Sequence, residues 1–151
     1  MTNEDLKITI AEILPAAAFE EGAEWLTVSV EPNVFKLFSQ QLRSINSLNF
    51  DFLFCLSCVD WKTHFTMVYH FTSITHRHTI VVKSKLDRNN PEIETVSDIW
   101  RTAEFHEREA YDLFGVIFKN HPDLRRLFMT DDWVGWPLRK DYEDAINMIK
   151  L

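Results

Sequence analysis

The sequence predicts an α+β fold, with a helix packed on an antiparallel β-sheet, followed by a second helix and a long irregular C-terminal arm. Two periodicities and one loss of period carry that expectation. Phe65, Met67, Tyr69 and Phe71 alternate as in a half-buried strand, while Val34, Leu37, Phe38, Leu42 and Ile45 recur at helical spacing. Beyond Gly115 the chain keeps Phe118, Phe128, Trp133 and Trp136 but no period.

The elements follow in order. Residues 3–13 predict a short helix that ends before Pro15. "EWLTVSV" sets Leu26, Val28 and Val30 against Trp25, Thr27 and Ser29, a strand with one apolar face. Pro32 stands at the first position of the helix "EPNVFKLFSQQLRSI". Three strands come next: Phe50, Phe52, Phe54 and Leu56 alternate in the first, Phe65 to Phe71 in the second, and Ile80 and Val82 anchor the third. Their connections, "DWKT" and "SITHR", suit hairpins. After "LDRNNPE", "TVSDIW" and "RTAEFHEREAYDLF" resume helical character, and Gly115 stands where a left-handed residue ends a helix. The expected division is an α+β domain over 1–114 and an extended arm over 115–151. The arm is too aromatic for a solvated end, so it is expected to lie along its own domain or another chain.

Composition removes several function classes. The 151 residues fit one domain with one core, and the formal net charge is −7 without a basic run, which argues against a nucleic-acid partner. No apolar stretch approaches the ~18–20 residues of a spanning helix. The acidic start "MTNEDLKITI" lacks a signal-peptide layout, so the expected compartment is cytoplasmic. Three glycines (Gly22, Gly115 and Gly135) cannot build a phosphate-binding loop. Cys55 and Cys58 fall on a strand, where residues three apart face opposite ways, so they read as two buried thiols. His76 and His78 share a face, as do His64 and His70, but no third ligand stands near either pair, and no metal is assigned. No nucleophile elbow or H-E-x-x-H appears, so no catalytic residue is assigned.

The charge around the last helix asks for an explanation. Glu107, Arg108 and Glu109 span about 200° of its surface, while Trp100, Ala103, Ala110, Leu113 and Phe114 claim part of the circumference for the core. On a solvated helix the pairs Glu104–Arg108 and Arg108–Asp112 would each contribute only ~0.2–0.5 kcal/mol. Downstream, "HPDLRRL" and "PLRKDY" add Arg125, Arg126, Arg139, Lys140 and Asp141 among aromatic residues. Arginine, acid and aromatic side chains in bands are the composition of an interaction surface.

These blocks carry a resemblance. "EREAYDLFGVIFKNHPDLRRLF" resembles the signature of the C component of NADH–quinone oxidoreductase, the 30 kDa subunit family of respiratory complex I. The match takes Glu107, Arg108, Glu109, Asp112, Leu113, Phe114, His121, Pro122, Asp123, Arg125, Arg126 and Leu127. "GWPLRKDY", residues 135–142, is similar to a second block that usually reads Gly-His-Pro-Leu-Arg-Lys-Asp. Phe105, His106 and Trp136 depart from the pattern.

The resemblance implies a structural subunit of the hydrophilic arm of a proton-pumping translocase. It would be peripheral on the cytoplasmic face of the membrane and attached only through the complex. It would carry no cofactor itself, with FMN and iron–sulfur clusters in partner subunits serving electron transfer from NADH to quinone. Subunits D, B and I would be its neighbours. Glu107, Arg108, Glu109 and Asp112 would hold helix and arm in register. Arg125, Arg126, Arg139 and Lys140 would pair with acids or carbonyls of those neighbours, and His121, Asp123, Trp136 and Asp141 would join the interface. On this reading the arm is mobile until it lies across its partners. The rival family reading is the equivalent subunit of a membrane-bound nickel–iron hydrogenase or a ferredoxin-dependent relative.

Overall fold

A computed structural model of the chain describes residues 1–148. Helix α1 (Asn3–Ile13) opens on a capping box, in which Thr2 Oγ1 accepts from the Asp5 N–H and the Asp5 carboxylate accepts from the Thr2 N–H. Strands β1 (Ala18–Glu20) and β2 (Leu26–Ser29) form an antiparallel pair. Helix α2 (Pro32–Ser44) starts on Pro32, whose missing N–H costs nothing in the first turn. A meander follows: β3 (Phe52–Asp60), β4 (His64–Ser73) and β5 (His78–Asp87). Then come β6 (Glu92–Glu94), α3 (Ala103–Phe114) and β7 (Ile117–Lys119).

The main sheet has the order β1-β2-β5-β4-β3. It is mostly antiparallel, as expected, but β2 pairs with β5 in parallel. The α2 crossover causes this: it returns the chain so that β3 runs in the direction of β2, and two hairpin reversals give β5 that same direction. Phe65, Met67, Tyr69 and Phe71 of β4, with Ile80 and Val82 of β5, turn inward and are fully buried. All three helices press onto that face, α1 through Leu6 and Ile10, α2 through Phe35–Tyr69 at 4.5 Å and α3 through Phe114–Phe65 at 6.0 Å, with Trp100 from the turn before α3 on Phe71 at 4.5 Å.

Five expectations are corrected here. The buried stripe of α2 is Phe35, Phe38, Ser39 and Leu42, and Leu37 is exposed because it lies about 200° around the helix from Phe35. In β3 the alternation breaks at a bulge between Leu53 and Cys55. Leu53 and Leu56 are therefore the core residues, and Phe52 is left exposed. Cys55 and Cys58 are half-buried rather than buried, and His76 lies in the β4–β5 turn. Residues 95–102 form turns, with α3 beginning only at Ala103.

The boundary expected at residue 114 falls inside the packed unit. Val116 and Phe118 are buried core residues, and β7 pairs in parallel with β6. A strand partner for "GVIFK" lies 25 residues upstream at Glu92–Glu94, where no local period announces it.

Candidate functional site

The last turn of α3 explains the basic residues of the arm. A helix ends with four carbonyls that have no partner in the helix. Here all four are capped. Gly115 N–H donates to Tyr111 O at 2.8 Å, and Arg126 Nη1 to Asp112 O at 2.9 Å. Leu138 N–H donates to Leu113 O at 3.0 Å, and Arg139 Nε to Phe114 O at 2.7 Å. Two guanidinium groups thus sit at the negative end of the helix dipole. Trp136 fills the space between them, 4.6 Å from Arg126 and 5.9 Å from Arg139 by ring centroid, with Tyr111 edge-on at 5.4 Å.

Gly115 makes this stacking possible. Its φ is +78°, and a Cβ built there would lie 2.6–2.8 Å from the Trp136 indole. Gly115→Ala is therefore expected to lose about 1–2 kcal/mol from the left-handed backbone alone, plus the cost of moving the indole. The urea midpoint of the purified chain measures it, and an unchanged midpoint contradicts this account.

Asp112 is the centre of the network. Its buried carboxylate accepts from three successive backbone N–H groups, Leu127 at 3.1 Å, Phe128 at 2.6 Å and Met129 at 3.0 Å, and from Arg126 Nη1 at 3.0 Å. Burial pushes its pKa up, but the N–H groups of Phe128 and Met129, the Arg126 guanidinium and the Leu127 N–H outweigh it and hold the group below the usual range. Arg126 Nη2 continues to Trp133 O at 3.0 Å and Gly135 O at 2.9 Å. Arg108 donates to the carbonyls of Arg125 at 3.2 Å and Arg126 at 3.0 Å.

A second anchor stands at the other end of the arm. Asp60, buried at the end of β3, accepts from Lys62 N–H at 2.7 Å, Lys140 N–H at 2.9 Å and Arg88 Nη2 at 2.9 Å. Arg88 reaches on to Asp141 at 3.1 Å. Sequence reasoning missed Asp60 and Arg88. The one available sign was Asp60 at the start of "DWKT", where a carboxylate that accepts from the N–H two residues on shapes the turn.

Glu107 lies in a third, separate pocket. Fully buried, its carboxyl accepts from Thr95 Oγ1 at 2.5 Å and Val96 N–H at 2.8 Å. His121 Nε2 lies 3.7 Å away but donates to Glu104 O at 2.9 Å, while its Nδ1 accepts from Asp123 N–H at 3.0 Å. A ring that donates at one nitrogen and accepts at the other carries a single proton, so it adds no positive charge beside Glu107. Burial raises the Glu107 pKa to about 7, against the Thr95, Val96 and Lys36 groups that favour the anion.

The twelve charged and aromatic positions singled out in the sequence therefore sort by depth. Glu107 and Asp112 are wholly buried and Arg108 nearly so, which takes them out of reach of another chain. Arg126 and Arg139 donate to carbonyls of their own chain rather than projecting outward. Trp136 is packed on Gly115. His121 is an inner brace, and Glu109 is half-buried beside the groove between β3 and α3. Asp123 and Arg125, an exposed pair at 2.9 Å, are at the surface with Lys140 and Asp141. The arm lies on its own domain, one of the two places expected for it. The partners of Trp136, Gly115 and Tyr111, and the Phe65 ring under Arg139 are distant in sequence and so invisible to periodicity.

Known proteins share this arrangement of elements. The family model described as respiratory-chain NADH dehydrogenase, 30 Kd subunit, matches residues 28–145. The C/D component of NADH-quinone oxidoreductase from Phocaeicola vulgatus is 45% identical over 118 residues, covering 77% of this chain and 23% of that protein. The C component of F(420)H(2) dehydrogenase from Methanosarcina mazei is 46% identical over 104 residues, covering 67% of this chain and 66% of that protein. A chain in the structure of the membrane-bound sulfane sulfur reductase, an archaeal respiratory membrane complex, superposes with a TM-score of 0.80 at 27% identity, over 94% of this chain and 86% of that one. The chain spans less than two thirds of several curated relatives, namely 23%, 43% and 60% of their lengths. The matched residues hold α2, the whole meander, α3 and both anchors of the arm, and on that agreement the chain belongs to the 30 kDa subunit family of the respiratory-chain NADH dehydrogenase.

Proposed function

We propose that this chain is a structural, cofactor-free subunit in the hydrophilic arm of a proton-pumping NADH–quinone oxidoreductase. It supports electron transfer from NADH to quinone through FMN and iron–sulfur clusters held by partner subunits. Its docked arm forms the seat for subunits D, B and I on the cytoplasmic face of the membrane.

One observation carries the reading: the arm's polar side is satisfied internally while its apolar side faces out. Phe128, Val134, Leu138 and Ile146 are 62%, 88%, 53% and 92% exposed. A segment fastened through six or more hydrogen bonds to Asp112 and Arg126 has a fixed outer surface, and a fixed apolar surface favours a partner. The C/D relative supports the D component as a neighbour. The relative in F(420)H(2) dehydrogenase and the neighbour in the sulfane sulfur reductase favour a second reading, in which the complex takes electrons from a donor other than NADH, as in a hydrogenase or ferredoxin-dependent relative.

The test is affinity purification of the tagged chain from detergent-solubilised membranes, with assays for NADH-dependent quinone reduction, flavin, iron and nickel. Activity with flavin and iron but no nickel is expected. Nickel with hydrogen-linked activity moves the chain to the second reading. Val134→Asp combined with Ile146→Asp is expected to cut partner recovery by about tenfold or more, with the chain's own melting unchanged. Full recovery by that variant removes the docking role.

A further inference from the structure

The end of the arm gathers four cations on a chain of formal net charge −7. Lys62 comes from the β3–β4 turn, Arg88 from just past β5, and Arg139 and Lys140 from the arm. Asp60 organises them through the backbone N–H groups of Lys62 and Lys140, which leaves both ammonium groups uncommitted to that carboxylate, and through Arg88 Nη2. Lys62, Arg88, Lys140 and Asp141 then line one notch of about 350 Å³.

The charges there do not balance. In the lining of the notch, Lys62, Arg88 and Lys140 meet the one carboxylate of Asp141, whose side chain is 67% exposed and lies 3.1 Å from Arg88, while Asp60 is buried. Arg88 and Arg139 both lie over the Phe65 ring, at 5.6 Å and 5.1 Å. Burial and then Arg88 itself lower the pKa of Arg139, against the pull of Asp141 and Asp60. The neighbouring Cys58 thiol, pushed up to about 12 by burial and by Asp60, supplies no anion. Arg88 Nε is buried and has no hydrogen-bond partner among the described residues. A guanidinium that meets an exposed carboxylate, flanked by two exposed lysines, is a receptor for an anion.

We propose that this notch receives a carboxylate side chain from an acidic segment of the partner subunit on which the arm docks, a proposal that rests on the docking reading above. A protein carboxylate fits because the arm that supplies Lys140 to the notch also carries exposed apolar residues. Leu138 lies two residues from Lys140, so an apolar contact and an ion pair can come from the same partner segment. Asp141 shows that the notch already holds one carboxylate against Arg88. A second would bring the four cations nearer to neutrality.

Zero-length carbodiimide cross-linking of the assembled complex tests this directly. The reagent joins a lysine Nζ to a carboxylate with loss of water, and only where the two are in contact. The expected product joins Lys62 or Lys140 to an aspartate or glutamate of another subunit, identified by mass spectrometry. Adducts confined to Asp141, or none, overturn the proposal. In parallel, Lys62→Glu with Lys140→Glu is expected to reduce recovery of the cross-linked partner by about tenfold at low salt and to flatten the salt dependence. The fold survives this variant because main-chain groups, not these side chains, bind Asp60. Unchanged recovery, alongside loss by Val134→Asp with Ile146→Asp, sinks this proposal and leaves the docking reading standing. Unchanged recovery by both variants sinks both. Binding of the isolated chain to anionic phospholipid vesicles, lost in the lysine variant and without an interchain cross-link, overturns the carboxylate in favour of a lipid headgroup.

Discussion

Asp112→Ala is expected to free the arm while the sheet stays folded. Amides from Leu127 to Tyr142 should lose about 3–5 kcal/mol of hydrogen-exchange protection, the range for breaking a buried, hydrogen-bonded ion pair. Amides of β4 and β5 should keep theirs. The reason is what the carboxylate leaves behind. Three backbone N–H groups lose their acceptor, and the Arg126 guanidinium, 9% exposed, loses its counter-charge. Arg126 also anchors Trp133 O and Gly135 O, so the loss propagates to the Trp136 stack. Trypsin should then cut faster at Arg125 and Arg126. Asp112→Asn keeps the shape but sets an amide donor against backbone donors, and is expected to fall between wild type and alanine. The Asp112 pKa lies below its ordinary value, so this contribution is complete above pH 3.8 and fades as pH falls through the folded-state value. If Phe128 and Met129 stay protected in the alanine variant, the arm is held by its apolar contacts instead.

How much of this was legible depended on distance along the chain. The three helices and the inward face of β4 follow from local periodicity, as do the Pro32 start and the Gly115 stop. The β3 bulge was hidden because "FDFLF" is apolar at all but one of its positions, so either register satisfies an alternation rule. The parallel β2–β5 pair depends on a crossover, which no strand announces by itself. At the site, most of the residues that matter stand out by their chemistry, but their direction does not. Arg126 and Asp112 are 14 positions apart, Lys140 and Asp60 are 80, and both pairs meet only because β7 pairs with β6 and turns the chain back over α3. Charge in a helix reads as surface when only the helix is considered. Here the arm covers α3, and it converts a surface pattern into an interior one.

Glu107 should make the isolated chain less stable as pH rises, which is the reverse of the buried Asp60 and Asp112. Its pKa is raised from 4.5 to about 7, so the native state holds the proton more tightly than the unfolded chain does. The stabilisation is complete below pH 4.5 and is lost as pH climbs through about 7. The full change corresponds to about 3 kcal/mol. The cause is geometric. The carboxyl has two donors, Thr95 Oγ1 and Val96 N–H, but the nearest basic side chains are engaged elsewhere. Lys36 is bonded to Thr95 O and Asp98, and the His121 ring accepts from Asp123 N–H. His70 and His78, both lowered by burial, titrate in the opposite sense, so a single stability curve would mix the effects. The comparison with Glu107→Gln isolates the carboxyl. Near pH 4.5 the two proteins should unfold at similar urea concentrations. At pH 8 the glutamine variant should be the more stable by up to about 3 kcal/mol, since it keeps the buried shape without the charge. Parallel curves from pH 4.5 to 8 would mean that Glu107 ionises freely in its pocket, through a counter-charge that the Lys36 and His121 bonds do not supply.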